Sequence, residues 1–259
     1  ARSRPKQPVR LRSCCQCRTP LLAALVAHLL DAASQRHHGV LLQRDGTRLE
    51  MVAPDGRRLA LARANLTGQD KDAKAVQCIV PTKALSMLQK LINEHEEAVQ
   101  IAITDTQIYF SFGTAASPGR ALLASNLVEG NFPPYEDVIP KDADKKVTFD
   151  RDVVSSAVRR AALLTNEDSR GVRLSFTSKT KQLKLSSRAP EMGEATVDVT
   201  LAGYDGEDLE IGFNPQFITD ALKVVAEPEV IMELKASNKP GLIKAGSDFL
   251  YVVMPVNLS

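Results

Sequence analysis

The chain has 259 residues, 44% hydrophobic and 25% charged, proportions of a globular chain that exclude a disordered, collagen-like or coiled-coil protein. No window holds the ~18 uninterrupted apolar residues of a membrane span, and 5% aromatic residues with no Trp leave little material for base-stacking platforms. The formal net charge of +2 is uneven: residues 1–39 carry Arg2, Arg4, Lys6, Arg10, Arg12, Arg18 and Arg36 against Asp31, net +6, so residues 40–259 hold 26 bases and 30 acids, net −4. A basic leader therefore hides a mildly acidic body, and the two are read separately.

Residues 1–20 show no hydrophobic periodicity and contain Pro5, Pro8 and Pro20; residues 1–19 read as a basic leader without regular structure. Leu21 to Leu30 is an apolar run broken only by His28. Three readings stay open for it: a signal-like segment followed by Ala32, Ala33 and Ser34, a buried helix starting near Pro20, or a start that is truncated or not native. Cys14, Cys15 and Cys17 have the spacing of a metal half-site, yet no second Cys or His pair follows, so incidental thiols are the plainer reading. The fourth cysteine, Cys78, stands by itself in the body, which argues against a disulfide framework and fits a reducing cytoplasm.

The body repeats itself. Residues Gly39–Ala64 read as a β-ribbon with turns at Asp45-Gly46 and Asp55-Gly56, a partial unit whose helix is not evident. Cys78–Phe112 reads as a short strand, a Pro-Thr-Lys turn, a helix through Ile92, and strands Val99–Ile103 and Gln107–Phe112. Val147–Ser186 repeats that layout with strand Val147–Phe149, a helix from about Asp152 to Leu164, and strands Val172–Phe176 and Gln182–Leu185. Leu209–Ala245 repeats it again, with a helix from about Pro215 to Val225 between strand Leu209–Phe213 and strands Val230–Leu234 and Gly241–Lys244. Each unit closes with one more strand: Arg120–Ser125, Glu194–Leu201 and Phe249–Met254.

Residue chemistry supports these elements. Val153, Val154, Ala157, Val158, Ala161 and Leu164 form one stripe at helical spacing, as do Phe217, Ile218, Ala221, Leu222 and Val225. Val172-Arg-Leu-Ser-Phe176 alternates as a half-buried antiparallel strand must. Asn214 before Pro215 is a good helix cap. A helix on a ribbon cannot bury its own face, so two units pack as one domain. The expectation is an α+β fold of helix-on-antiparallel-sheet units, two per domain, with domains at 20–142 and 143–259 and a polar linker near Lys141–Lys145.

The motifs Val52-Ala-Pro-Asp-Gly-Arg-Arg-Leu-Ala60, Leu127-Val-Glu-Gly-Asn-Phe-Pro-Pro-Tyr135, Ser169-Arg-Gly-Val-Arg-Leu174, Ile211-Gly-Phe-Asn214 and Tyr251-Val-Val-Met-Pro-Val256 occur in that order. Together they resemble the bacterial β sliding clamp family, the processivity ring of the replicative DNA polymerase (the DNA polymerase III beta subunit). The resemblance covers residues 39–259 and corresponds to the second and third domains of a three-domain subunit, with no counterpart to the first domain. It implies a DNA clamp fold and a non-enzymatic, cytoplasmic homo-oligomer, closed as a ring around duplex DNA without sequence preference, needing no cofactor and no membrane. It also implies a pocket that captures short peptides from polymerase, clamp loader and repair proteins.

Carried over by position, that pocket uses Gly56, Arg57, Arg58 and Leu59 from one turn, Pro133 and Val138 from the following stretch, and Val252, Val253, Met254, Pro255 and Val256 from the C-terminal strand. Leu59, Val253 and Met254 would bury apolar peptide anchors at about 25 cal/mol per Å², and Met adapts to several partners. Arg58 would hold a carbonyl or an acidic group. Taken by themselves, Val252–Met254 are an ordinary buried strand. This sequence departs from the family at Pro54, His37, Asp137 and Asn257, which bears on peptide specificity.

A ring that slides must not grip DNA, because phosphate contacts raise affinity steeply and carry no sequence information. Lys83 and Lys90, seven apart on the first helix, Arg159 and Arg160 on the second and Lys223 on the third are the candidate DNA contacts; each is otherwise a solvated helix position. The rival readings are an enzyme and an adaptor that binds partner peptides without closing a ring. No P-loop, G-x-S-x-G, H-E-x-x-H or G-x-G-x-x-G occurs, although triads assemble from distant segments. His95 lies in the Glu-rich stretch Asn93–Glu97, where a solvated loop is the plain alternative to a metal site; no catalytic or metal-binding residue is assigned.

Overall fold

The computed structural model describes residues 13–17, 39–66, 75–94, 99–114, 117–165, 171–189 and 193–257. They fall into two compact units, one drawn from Ala1–Ala53 and Arg63–Phe132, the other from Pro54–Ala62 and Pro133–Ser259. The expected boundary lies after Asp142; the compact units divide after Phe132, and residues 54–62 belong with the C-terminal unit.

In the first unit, β1 (Ser13–Cys17), β6 (Val99–Ile103), β7 (Gln107–Thr114) and β8 (Ser117–Asn126) form one antiparallel sheet in the order β1-β6-β7-β8. The strands β2 (Gly39–Asp45), β3 (Arg48–Pro54) and β5 (Val76–Pro81) pair as β3-β2-β5. Between β5 and β6 runs α1 (Thr82–Glu94), which buries Ala84, Leu85, Leu88 and Ile92 at helical spacing. The expected Pro-Thr-Lys turn is not a turn: β5 continues through Pro81 and the helix starts at Thr82. Proline terminates the strand without needing a loop, since it has no N–H to give a ladder and its φ suits a helix entry.

The leader expectation needs correcting for residues 13–17. They pair antiparallel with β6, Ser13 opposite Ile103 and Cys17 opposite Val99. The Cys-Cys-Gln-Cys run gives no alternation to read, but backbone pairing covers what would otherwise be an open sheet edge beside Val99–Ile103. The apolar run Leu21–Leu30, and His28, His37, His38 and His95, lie outside the described residues.

The second unit contains β4 (Arg58–Asn65) through its residues 58–62, then β9 (Lys145–Asp150), α2 (Arg151–Ala161) and β10 (Val172–Thr177). It continues with β11 (Gln182–Ala189), β12 (Gly193–Thr200), β13 (Gly203–Asp205) and β14 (Leu209–Phe213), and then α3 (Pro215–Val224), β15 (Glu229–Leu234), β16 (Gly241–Ala245) and β17 (Phe249–Val253). Its two repeats exchange strands. β9, which precedes α2, pairs with β15 of the other repeat, Val147 opposite Met232. β14, which precedes α3, pairs with β10, Phe213 opposite Val172. Each ribbon therefore receives its fourth strand from its partner, which is why one repeat cannot fold by itself. In the first unit β5 pairs with β2 and β1 with β6, the same exchange, so β1 is the leading strand of the partial repeat.

Local signals start both helices of this unit. Asp150 Oδ1 accepts from the N–H groups of Asp152 and Val153, each at 2.9 Å, and Asn214 Oδ1 accepts from Gln216 N–H at 2.9 Å ahead of Pro215. Ser187 Oγ donates to the Ala161 carbonyl at 2.5 Å, satisfying one orphan acceptor at the end of α2. Helices α2 and α3 pack on each other, with Ala157, Val158, Ala161, Ile218, Ala221 and Leu222 buried. Val153, assigned to that stripe from sequence, is instead 49% exposed while Val154 in the same turn is buried: at 3.6 residues per turn it lies at the edge of the stripe, about 100° round the helix from Val154.

Candidate functional site

The turn Asp55–Arg58 is built from its own sequence. Gly56 has φ +85°, a conformation other residues resist. Asp55 Oδ1 accepts from the N–H groups of Arg57 and Arg58, each at 2.9 Å, and Asp55 N–H donates to the Arg58 carbonyl at 3.0 Å. From this turn β4 runs antiparallel to β17, Arg58 opposite Val253 and Leu59 opposite Val252. One step further, Met254 N–H donates to the Arg57 carbonyl at 2.8 Å, and Val256 N–H donates to the Gly212 carbonyl at 2.9 Å. The turn and the chain end thus come together from positions about two hundred residues apart, as β-sheet partners.

Arg58 sits at the centre of a polar network. Its Nε donates to Asp55 Oδ2 at 2.8 Å, and its Nη1 donates to Asp220 Oδ2 at 2.6 Å and to the Tyr251 hydroxyl at 3.1 Å. The guanidinium carbon lies 4.5 Å from the centroid of the Phe217 ring, within cation–π range. Gln216 Nε2 donates to the other Asp220 oxygen at 2.6 Å. Burial opposes the charge on Arg58, but Tyr251, Asp220 and Asp55 outweigh it and raise its pKa. Burial also raises the Tyr251 pKa, against the pull of Arg58.

The sequence-derived site residues separate into core and surface. Leu59, Val252 and Val253 are buried, so Leu59 and Val253 do not present the apolar surface expected of them; they hold the wall in place. Arg58, expected to reach for a ligand, spends donors on Asp55, Asp220 and Tyr251. Gly56, Arg57 and Pro133 are exposed, Pro255 and Val256 half-buried, and Met254 and Val138 are 38% and 42% exposed. Val138 and Asp137 belong to the 3₁₀ turn Glu136–Val138. Met254 to Asn257 line an open cleft of ≈ 600 Å³ together with Arg173, Glu210 and Gly212. Pro54 ends β3 and Asn257 is exposed.

Sequence reasoning missed Asp220, Gln216 and Tyr251 as members of this cluster and read Phe217 only as a helix-stripe position. No local signal could have found them: the resemblance paired the turn with residues 252–256, but nothing near Arg58 in sequence points to α3 or to Tyr251. The candidate DNA contacts are all exposed: Lys83 and Lys90 on α1, Arg159 and Arg160 in the last turn of α2, and Lys223 in the last turn of α3. Cations there also suit the negative end of a helix dipole in α2 and α3. Among the described residues no group of three or more His, Cys, Asp or Glu could hold a metal ion, and no helix is long and apolar enough to cross a membrane.

Residues 136–257 match the family model of the DNA polymerase III beta subunit, C-terminal domain, and residues 25–134 match that of its central domain. The solved sliding clamp of Pseudomonas aeruginosa is similar at TM-score 0.87 and 33% identity, over 98% of this chain and 68% of that one. The chain belongs to the β sliding clamp family. The curated beta sliding clamp of Pseudomonas putida is 37% identical over 223 residues, and that of Escherichia coli (strain K12) 35% over 225 residues. This member of the clamp family spans 58% of the length of those relatives. Another Pseudomonas aeruginosa clamp structure, at TM-score 0.87 and 32% identity, is bound to griselimycin. The two family matches meet near residue 135, close to the division after Phe132, while residues 54–62 lie within the central-domain match but belong with the C-terminal unit.

Proposed function

We propose that the chain acts as part of a DNA sliding clamp: a non-enzymatic, cytoplasmic subunit that self-associates into a ring on duplex DNA and tethers polymerase, clamp loader and repair proteins by capturing a short peptide. The observation that carries this reading is the hydrogen bond from Met254 to Arg57, which sets the exposed Gly56–Arg57 turn beside the exposed end of β17. A peptide anchor lying on Met254, Pro255 and Val256 would be flanked by the Arg57 side chain, and Val138 and Pro133 are the further contacts proposed from the family motif. Leu59, Val252 and Val253 support that surface from beneath.

Lys83, Lys90, Arg159, Arg160 and Lys223 are the proposed DNA contacts. With so few cations on an acidic body, association should be weak, with a shallower salt dependence than that of a protein that grips many phosphates, as sliding requires. Self-association is supported by Leu163, 77% exposed in the 3₁₀ turn after α2, which packs beside the sheet-edge strand β12. A large exposed Leu next to an open edge suits a protein partner.

Titrating the full chain with griselimycin and with a synthetic peptide carrying Leu and Phe anchors tests capture. Saturable binding that disappears when residues 254–256 are deleted, with circular dichroism unchanged, is the expected result; equal affinity after deletion would refute the assignment. Light scattering tests the ring: an oligomer that Leu163→Asp dissociates is expected, and a monomer at micromolar concentration sinks the ring.

A further inference from the structure

We infer that Asp220 and Tyr251 are positioning residues for the capture surface, acting through Arg58. This deepens the peptide-capture reading and rests on it for its functional consequence. The geometry is a chain of saturated contacts. Gln216 Nε2 donates to Asp220 Oδ1, and Asp220 Oδ2 accepts from Arg58 Nη1, both at 2.6 Å. Arg58 Nε donates to Asp55 Oδ2 at 2.8 Å, while Asp55 Oδ1 accepts the N–H groups of Arg57 and Arg58. The Arg57 carbonyl in turn accepts from Met254 N–H. Helix α3, the Asp55–Arg58 turn and the end of β17 are thereby fixed by one guanidinium.

The physical argument concerns alternatives. The Asp55–Arg58 turn has a glycine at positive φ and an exposed tip, so by itself it samples several conformations. Arg58 is planar and its Nε and Nη1 donors have fixed relative directions. Engaging Asp55 with one and Asp220 with the other leaves one orientation that satisfies both, and Phe217 against the guanidinium restricts rotation. Tyr251, opposite Ala60 on β17, accepts a third hydrogen bond from the same group. Losing Asp220 or Tyr251 leaves the guanidinium with fewer fixed directions and loosens the turn, without emptying the core. Neither Asp220 nor Tyr251 needs to touch a ligand for its loss to weaken capture.

The test uses the full chain with Asp220→Asn, Asp220→Glu and Tyr251→Phe. One measurement is amide hydrogen exchange at Met254, whose N–H reports the turn-to-strand contact and needs no ligand. The other is griselimycin affinity. Asp220→Asn should accelerate exchange at Met254 selectively and weaken griselimycin by about tenfold, the cost of losing preorganisation. Asp220→Glu should restore most of both, and Tyr251→Phe should have a smaller effect of the same sign. Unchanged Met254 exchange in Asp220→Asn and Tyr251→Phe overturns the inference. So does griselimycin affinity within twofold of wild type when exchange has accelerated. If Asp220→Asn fails to fold, Tyr251→Phe decides the question by the same two readouts. Failure of the wild type itself to bind griselimycin or the Leu/Phe peptide counts against the capture function, while the exchange result still decides the positioning role.

Discussion

Met254 N–H donates to the Arg57 carbonyl across 2.8 Å. That bond joins the last residues of the fold to a turn that precedes them by most of the chain. It exists because β4 and β17 are in register through Leu59 and Val252, both fully committed to the core. The surface proposed for peptide capture is therefore the rim of a sheet, with buried side chains setting its position and exposed ones offering contact.

Met254→Ala should weaken peptide capture with little effect on folding. The side chain is 38% exposed, and covering the exposed part of a Met contributes about 1 kcal/mol at ~25 cal/mol per Å², or roughly a fivefold change in Kd. Isothermal titration alongside a urea melt separates the two effects. A loss of affinity matched by an equal loss of stability would place Met254 in the core rather than at the rim.

Gly241→Ala should destabilise the second unit. A Cβ there would lie 2.8 Å from Phe213 Cζ and 3.1 Å from Leu234 Cδ2, a collision of β16 with the side chains of Phe213 on β14 and Leu234 on β15. Overpacking of this kind costs about 1–3 kcal/mol. Adding Phe213→Leu should recover part of that loss, which chemical denaturation of the single and double variants measures.

Asp150→Ala should cost about 1 kcal/mol by removing the acceptor for two amides at the start of α2. Asp150→Ser should keep most of the stability, because a hydroxyl caps the same position. Equal midpoints for all three proteins in urea would show the cap to be dispensable.

Alkaline pH should unfold the protein through its buried tyrosines. Tyr204, whose hydroxyl donates to the Glu207 carbonyl, has a pKa pushed up to about 12 by burial first and then by Asp208, Asp144 and Glu207. Tyr251 shifts in the same direction. A raised folded pKa means the unfolded chain gives up its proton first, near the ordinary value of 10.0. The associated stability is complete below pH 10 and is lost as pH rises towards 12. Urea midpoints from pH 9 to 12 should fall less steeply in Tyr204→Phe than in wild type; parallel curves would rule out this group.

Much of the fold was legible along the chain because its signals are local. The stripe Val154, Ala157, Val158 and Ala161 marks a helix by period, Asp150 and Asn214 mark where helices start, and Val172–Phe176 marks a strand by alternation. Ser13–Cys17 escaped because its strand character comes from pairing with Val99–Ile103 and not from its own pattern. Val153 escaped because it lies at the edge of the stripe, where periodicity by itself does not set which side faces the core.

The candidate site divided along the same line. The sequence by itself determined that Asp55-Gly56-Arg57-Arg58 is a turn and that the chain ends in an apolar strand followed by Pro255, since φ preferences and alternation act between near neighbours. The family resemblance put these segments in one pocket, but only the tertiary structure decided that they meet as paired strands, that Leu59 and Val253 are walls, and that Arg58 belongs to Asp55, Asp220 and Tyr251. Hydrogen bonds and burial act through space, and residues 58, 220 and 251 become neighbours only when β4 pairs with β17 and α3 packs against that strand.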